Sequence, residues 1–477
     1  MTTRPENIVF IINPSNWYES MYPTGILCLS SYLEQKGYSN VIVDSKISSS
    51  RLPPSERMQR IVDHISNLKP EVVCFSSSHR EFGEVTQLNA SIKKAVEGLF
   101  TIVGGAQPTY RYQDFLSSGF DYVAIGEGEK TLVEFVREIA QQTFQWAGID
   151  GLVWRQGDVI TKNKARQLLN EEELSNAPLP AYQKIDPRYF DYNVKTIRGL
   201  PLRGGLLLTT RGCPFQCTFC GCNLIFGRKL RSRHIDRVEA DIDCLCSQYR
   251  VEGIWIVDDT FTVNKVHAIN IARLLKTKGV LWGCQSRVDA VNDKLLKVFK
   301  ECGCVQIDYG VESGSPRILT EVIKKGTSPD QIRNAFELTK KHGIRTLANI
   351  MIGLPTETLG DLGQTQKIVA EIQPDVTVVA IATPLPGTEL YGMVGEDISP
   401  SQYASLDWNG SEMTARLNKS EIKNVVSVHH AMKKRYLLRS VLNVLLNGAS
   451  LGWLLSKGDK WRRMKTVGAF LVDEMRK

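Results

Sequence analysis

The sequence predicts an α/β protein built from two successive strand–helix series, and two observations carry that expectation. Short β-branched runs alternate with helix-length segments from residue 7 to about 140, and the same alternation resumes at 204 and continues to 382. A chain of 477 residues also exceeds one ordinary hydrophobic core, so more than one folding unit is expected. The expected organisation is a Rossmann-like doubly wound parallel sheet over 1–145, a linker region over 146–200, a partial (β/α)6 barrel over 201–392 and a mostly helical, basic region over 393–477.

In the first series, NIVFII (7–12), NVIVD (40–44), EVVCFS (71–76), FTIVGG (100–105) and DYVAIGEG (121–128) read as strands. Helices are expected near 24–37, 55–67, 84–97 and 130–140, giving a parallel sheet covered on both faces. The strands end in Asn13 and Pro14, in Ser76, Ser77 and Ser78, in Gly104 and Gly105, and in Gly126, Glu127 and Gly128. In such sheets a ligand lies over the carboxyl ends of the strands, where small residues let backbone approach and helix starts offer N–H groups. The same glycines and serines would also serve as tight βα turns.

Residues 177–190, APLPAYQKIDPRYF, read as extended connection. The second series opens with GGLLLTTRGC (204–213), followed by strands at 252–257, 280–284, 303–309, 345–352 and 376–382. Six βα units in this span make an open or partial barrel, since closure with eight needs about 250 residues.

Eleven cysteines without disulfide-like spacing, and no signal peptide ahead of them, read as a reducing, cytoplasmic setting. The net charge of +8 is matched by the segment 429–477 alone, where eleven Lys or Arg stand against three Asp or Glu, so it describes the tail. Within that tail an apolar stretch from Tyr436 to Leu455 lies between basic clusters, interrupted by Arg439, Asn443, Asn447 and Gly448. It fits packing against the barrel, or peripheral membrane contact with Trp453 and Trp461 at headgroup level and Arg462, Arg463 and Lys465 toward anionic lipid.

The chemistry concentrates in RGCPFQCTFCG (211–221), where Cys213, Cys217 and Cys220 form a C-x3-C-x2-C row. A structural zinc site wants four ligands, commonly two close pairs. Cys222 could be a fourth here, but it would crowd Cys220, and no partner pair follows downstream. The other reading is a [4Fe-4S] cluster held at three irons, with the fourth open to chelate a substrate-like ligand.

With Phe219 directly before the last cysteine, this row resembles the signature of radical S-adenosylmethionine (SAM) enzymes. Further motifs follow in order: VDDTFT (257–262), SRVD (286–289), YGVESGS (309–315), IGLPTET (352–358) and ATPLPGTELY (382–391). The N-terminal PTGILCLSSYLEQKGY, VGGAQPT and AIGEGEKT resemble the cobalamin-binding-domain subclass, so the likeness extends from about 7 to 395. It implies a [4Fe-4S] cluster on Cys213, Cys217 and Cys220, SAM and cobalamin as cofactors, and a 5′-deoxyadenosyl radical as the hydrogen-abstracting species.

By that resemblance Phe219 packs near adenine, Glu312 accepts from ribose hydroxyls, Arg287 meets the methionyl carboxylate, and Gly353, Leu354 and Pro355 bring backbone to adenine. The expected cobalamin contacts are Pro23, Gly25, Ser76, Ser77, Ser78, Gly104, Gly105, Pro108, Gly126, Glu127 and Gly128. The Asp-x-His-x-x-Gly pattern that supplies a histidine to cobalt is absent, and His79 stands in the wrong loop for it. The implied reaction is methyl transfer to an unactivated carbon of a small-molecule or lipid-like substrate, driven by an external reductant such as flavodoxin or ferredoxin. Oxidative cyclisation, hydroxylation, dehydration or reduction, with or without cobalamin, is the alternative. Nucleic acid is not an expected partner, since no RNA-binding motif accompanies the basic tail.

Overall fold

The computed structural model describes residues 7–14, 21–44, 46–47, 52–193, 196–394, 398–406, 412–418 and 420–446. The first series contains β1 (Ile8–Ile12), α1 (Thr24–Gln35), β2 (Val41–Asp44), α2 (Pro54–Leu68), β3 (Val72–Ser76), α3 (Phe82–Ala95), β4 (Phe100–Gly104), α4 (Ala106–Ser117), β5 (Tyr122–Ala124) and α5 (Glu129–Gln141). β1 to β5 pair in parallel in the order β2-β1-β3-β4-β5, so the chain reverses direction across the sheet beside β1 and β3. That is the crevice where an open α/β sheet takes its ligand. The α4 helix was not evident from the sequence pattern, because Pro108 and three aromatics fall within it. Pro108 sits in its first turn, where no backbone N–H is needed, and Arg111 interrupts its helical dihedrals.

The stretch 146–200, expected as a linker, is structured along much of its length. β6 (Leu152–Gln156) and β7 (Val159–Lys162) form a hairpin that extends the first sheet antiparallel beyond β5. After α6 (Glu171–Ser175), Tyr182, Tyr189 and Phe190 are buried around Tyr22, at ring separations of 5.7, 6.2 and 5.2 Å. Their apolar bodies are drawn inward because they fill the seam between the two sheets, a placement that local Pro-rich composition does not reveal.

The second series runs β8 (Tyr192–Asn193), β9 (Leu202–Leu207), β10 (Thr210–Arg211), α7 (Cys222–Phe226), β11 (Arg231–Ser232), α8 (Ile235–Ser247), β12 (Gly253–Ile256), α9 (Lys265–Thr277), β13 (Leu281–Ser286), α10 (Asp293–Glu301), β14 (Cys304–Glu312), α11 (Pro329–Lys341), β15 (Arg345–Ile352), α12 (Leu359–Ile372) and β16 (Val376–Ile381). Its sheet has the order β16-β15-β14-β13-β12-β9-β8. Among the described residues the strands from β9 to β16 in that sheet are parallel, the partial barrel that the six apolar runs predict, and β8 caps the edge antiparallel.

Then come α13 (Glu389–Val394), α14 (Glu412–Leu417) and α15 (Val425–Leu446). Between α13 and α14, Tyr403 is buried against Phe82 and donates its hydroxyl to Asp114 at 2.6 Å, so the segment after the barrel returns to the first sheet's helices. α15 lies on β16, with His429 Nε2 2.9 Å from the Val379 carbonyl oxygen. The tail beyond Leu446, including Trp453, Trp461, Arg462, Arg463 and Lys465, lies outside the described residues. No helix among the described residues is long and apolar enough to cross a membrane.

Tyr22 also joins the two series by hydrogen bonding: its hydroxyl donates to the Leu206 carbonyl at 3.2 Å and accepts the Leu206 N–H at 2.7 Å. Tyr22→Phe keeps the ring packing and leaves both buried groups unpaired. The expected loss is about 1–3 kcal/mol, measured by urea unfolding, with little change in secondary structure by circular dichroism.

Candidate active site

β9 delivers the chain to the barrel mouth, and the cysteine row follows at once. Gly212 has φ +90°, and a Cβ there would collide with the Lys229 carbonyl, so the entry to the loop requires glycine. Beneath it, Asp258 at the end of β12 accepts from the Thr209 N–H at 2.6 Å, from the Thr209 hydroxyl, and from the Thr210 hydroxyl at 2.9 Å. Burial pushes Asp258 up to about 6, and pushes His267, whose Nε2 lies 3.1 Å from the Thr209 hydroxyl, down to about 4. Asp258 therefore positions the strand end and does not face the mouth.

The loop is tied to its surroundings from several sides. Thr218 donates its N–H to Ile323 at 3.1 Å and its hydroxyl to Val322 at 3.0 Å, and its carbonyl accepts the Leu390 N–H at 2.8 Å. Tyr110 of α4 donates to the Gly221 carbonyl at 2.8 Å, bringing the first series into contact with the loop.

Cys213 is buried, and Cys217 and Cys220 are partly exposed. The single Cys222 thiol proton has two acceptors in reach, Asp259 at 3.0 Å and the Cys213 sulfur, and when it points to Cys213 it draws that thiol below its ordinary value. Burial pushes Cys220 up to about 11, against the Cys222 N–H that reaches its sulfur at 3.5 Å. Cys217 is likewise raised by burial, opposed first by the Lys325 ammonium and then by the Arg287 guanidinium, whose Nη1 is 3.8 Å from the sulfur. Among the described residues no three His, Cys, Asp or Glu side chains gather closely enough for one metal ion. A cluster takes each cysteine at a different iron, and N–H and cationic donors aimed at thiolates suit that donor set.

The other residues expected to bind SAM surround this loop in different ways. Phe219 is half-buried with the Lys325 ammonium 5.9 Å from its ring centre. Glu312 ends β14 with φ +66° and pairs with Lys325 at 2.9 Å. Arg287 is already engaged: its fork meets Asp289 at 2.9 and 2.7 Å, Nη2 also donates to the Lys325 carbonyl at 2.7 Å, and its guanidinium carbon lies 3.6 Å from the Phe215 ring centre. A carboxylate ligand would have to displace Asp289 to use that fork.

Gly353 and Leu354 donate their N–H groups to Glu357 Oε2 at 2.6 and 3.1 Å, and a Cβ on Gly353 would meet Val425 of α15 at 2.7 Å. The missing side chain of Gly353 thus makes room for Val425 of α15, and Pro355 follows in the same buried turn.

In the first series a cavity of about 310 Å³ opens over the carboxyl ends of β1, β3, β4 and β5. Gly25, Ser76, Gly104, Gly105, Gly126, Glu127 and Gly128 line it as the strand-end pattern suggests. The far wall comes from the barrel: Leu208, Arg211, Ile225, Phe226 and Val257. A Cβ on Gly25 or Gly126 would meet nothing within 4 Å, so both glycines border open space where the face of a flat ring such as a corrin could approach.

Four expected contacts lie off this cavity. Pro23 lines a neighbouring one of about 280 Å³. Ser77 donates its N–H to Gly104 at 3.0 Å, Ser78 is engaged with Glu81 at 2.8 and 2.9 Å as a turn cap, and Pro108 is buried within α4. His79 Nε2 is 3.1 Å from the Leu406 carbonyl oxygen, so it joins the turn to the C-terminal segment.

Glu127 lines the cavity but turns both oxygens to the barrel. It meets Arg211 at 3.2 Å and Arg231 at 3.0 Å through each oxygen, and accepts the Leu169 N–H at 2.8 Å. Arg211 also pairs with Glu129 at 2.7 Å; burial is the largest influence on Glu129 and would raise it, but the charge and hydrogen bond of Arg211, with a backbone hydrogen bond and the Arg231 charge, together hold this carboxylate low. Spacing could not reveal these ion pairs, because the partners are over eighty residues apart.

Family comparisons agree with this two-part site. The description Radical SAM superfamily matches residues 207–369, and B12 binding domain matches 15–136. A protein of Pyrococcus horikoshii described as an uncharacterized methyltransferase is 32% identical, covering 69% of this chain and 70% of its own length. The chain belongs to the cobalamin-binding-domain subclass of the radical SAM superfamily.

The anaerobic magnesium-protoporphyrin IX monomethyl ester cyclase of Rubrivivax gelatinosus is 25% identical, covering 79% of this chain and 67% of the cyclase. Among solved structures, the radical SAM methyltransferase TsrM from Kitasatospora setae, with cobalamin and a [4Fe-4S] cluster bound, superimposes with TM-score 0.68 at 18% identity, over 80% of this chain and 77% of TsrM. That likeness establishes the shared fold.

Two outcomes test the electrostatics. Glu127→Ala leaves Arg231 and Arg211 buried with incomplete pairing and should cost about 3–5 kcal/mol in chemical denaturation, while Glu127→Ala combined with Arg231→Ala costs less than the sum of the two. Glu357, pushed by burial from 4.5 up to about 7, keeps its proton to higher pH when folded than when unfolded. Its contribution to stability therefore falls as pH rises from about 4.5 to 7, and Glu357→Gln should remove that part of the slope in stability measured across this window.

Proposed function

We propose that this radical SAM enzyme is a cobalamin-dependent methyltransferase that places a methyl group on an unactivated carbon of a small-molecule or lipid-like substrate. The observation that carries the reading is the cavity shared by the two series: its floor is the strand-end crevice, and its far wall is the segment that holds the cysteine row. A group seated there would lie against the loop where the radical is generated, as transfer between the two requires. The P. horikoshii relative's description as a methyltransferase supports the same direction.

In this reading Cys213, Cys217 and Cys220 hold the cluster, and Gly25, Gly104, Gly105, Gly126 and Gly128 let the corrinoid approach the sheet. When bound, these cofactors supply the one-electron cleavage of SAM and a transferable methyl group. The chain's own residues hold geometry: Asp258 and Gly212 fix the loop, Phe219 supplies an apolar face for adenine, and Glu312 offers a carboxylate to ribose. The Cys222 and Arg287 donors lower the charge on the sulfurs, and Leu208, Ile225, Phe226 and Val257 keep the shared wall dry. An external flavodoxin or ferredoxin supplies electrons.

The cyclase relative favours a second reading, oxidative ring formation on the same radical-generating frame. The two are separated by incubating the anaerobically reconstituted protein with SAM carrying a trideuterated methyl group, a low-potential reductant and hydroxocobalamin. Methyl transfer predicts 5′-deoxyadenosine together with label in the corrinoid fraction. Deoxyadenosine with an unlabelled, still-bound corrinoid would contradict it and leave the oxidative reading. Cys220→Ala should abolish deoxyadenosine formation in either case.

A further inference from the structure

We propose that the exposed side of the cysteine loop is a docking surface for a flavodoxin-type electron carrier, an acidic protein whose flavin edge meets Leu224 while its carboxylates meet Arg228 and Lys229. The inference rests on the radical SAM reading of the site and is independent of whether cobalamin is bound or a methyl group is transferred.

The loop is enclosed on most sides by its own chain. Thr218 is held by Val322, Ile323 and Leu390, Tyr110 lies on the Gly221 carbonyl, and the Arg287 guanidinium covers the Phe215 ring. The side left to solvent is made by Pro214 and Gln216, by Leu224 of α7, and by Arg228 and Lys229. Short contacts join these residues into one patch. Asn223 Nδ2 donates to the Phe215 carbonyl at 2.6 Å, and the Cys213 N–H donates to the Gly227 carbonyl at 3.2 Å. Gly227, at φ +70°, turns the chain back along the loop, so that the Lys229 carbonyl faces Gly212.

The character of the patch selects the partner. Leu224 is 43% exposed on a five-residue helix that starts at Cys222, while its neighbours Ile225 and Phe226 line the shared cavity. One side of α7 therefore meets the cavity, and the other offers an apolar contact to solvent. Arg228 and Lys229 are exposed, and neither takes part in an ion pair among the described residues. The acidic groups nearby do not offset them: Glu127 and Glu129 turn inward to Arg211 and Arg231, and Asp259 accepts from the Cys222 thiol.

A small apolar centre beside two uncompensated cations suits a transient complex, in which opposite charge speeds encounter and the limited contact keeps the complex short-lived. A flavodoxin complements it, with acidic side chains around an apolar flavin edge. In the docked complex one electron leaves the reduced flavin, which is thereby oxidised, and enters the cluster held by Cys213, Cys217 and Cys220, which is thereby reduced. No bond is made or broken and no proton moves.

The test uses the full chain reconstituted with its [4Fe-4S] cluster and a flavodoxin as the probe. Binding of oxidised flavodoxin is measured by calorimetry, and the rate of flavin oxidation on anaerobic mixing with reduced flavodoxin by stopped-flow absorbance. Wild-type affinity should fall as salt is raised. Arg228→Glu combined with Lys229→Glu should weaken binding and slow electron transfer at least about tenfold at low salt. Leu224→Asn should weaken binding at low and high salt alike. All variants should retain iron and be reduced by dithionite at the wild-type rate.

Flavodoxin binding that is unchanged in the double variant, or that does not respond to salt, overturns the proposal. Tighter binding of an acidic ferredoxin that Leu224→Asn leaves unaffected overturns the flavodoxin as occupant. Loss of iron from the double variant overturns it as well, because the two cations would then be supporting the loop. If dithionite reduces no cluster in wild-type protein, the radical SAM reading itself fails.

Discussion

The architecture depends on a buried ionic bridge. Glu127 and Glu129 leave the end of β5, Arg211 and Arg231 flank the cysteine loop, and all four side chains are less than one-tenth exposed. Charges this deep are tolerable only when paired and hydrogen-bonded, so the bridge permits one arrangement of the two sheets and penalises others. Arg231 strengthens the constraint by also donating to the Leu169 and Phe226 carbonyls, at 2.6 and 2.8 Å. One side of the bridge borders the shared cavity and the other enters the loop that carries Cys213, so the same four side chains set the cavity and the loop against each other.

Around that bridge the cysteine loop is held by short polar contacts to parts of the chain that are remote in sequence. Asp258 fixes the strand that leads in, Thr218 ties the middle to 322–323 and to Leu390, and Tyr110 holds the end. Fixing a loop before its ligand arrives removes ordering cost from the binding step, which a site that must confine a radical requires. The sulfurs meanwhile sit among donors and cations, so burial and charge act on them in opposite directions.

Much of the fold was legible because parallel strands covered by helices leave a plain apolar rhythm. The strands β1 to β4, β12, β13, β15 and β16 fall within about two residues of their sequence positions, whereas β5 and β9 stop well short of the expected ends, at Ala124 and Leu207, and β14 runs on to Glu312. The β6–β7 hairpin, α4 and the buried aromatics at 182–190 were not legible, since each is fixed by packing against distant elements. The cysteine row and the glycine-rich strand ends could be read because local spacing carries their chemistry. The ion pairs of Glu127 and Arg287 could not be, because a charged residue at a strand end looks the same whether it faces a ligand or another side chain. Of two adjacent lysines, Lys324 pairs with Glu389 at the surface and Lys325 is buried on Glu312, a difference that local sequence does not show.

The most direct measurement is the iron content and bound-corrinoid spectrum of the full chain, purified without oxygen, reconstituted with iron, sulfide and hydroxocobalamin, and freed of unbound cofactor. The account predicts about four irons per chain and a stoichiometric corrinoid, because the bridge presents the cluster loop and the cavity together. About four irons with no retained corrinoid would contradict the shared-cavity reading, and with it the methyltransferase assignment.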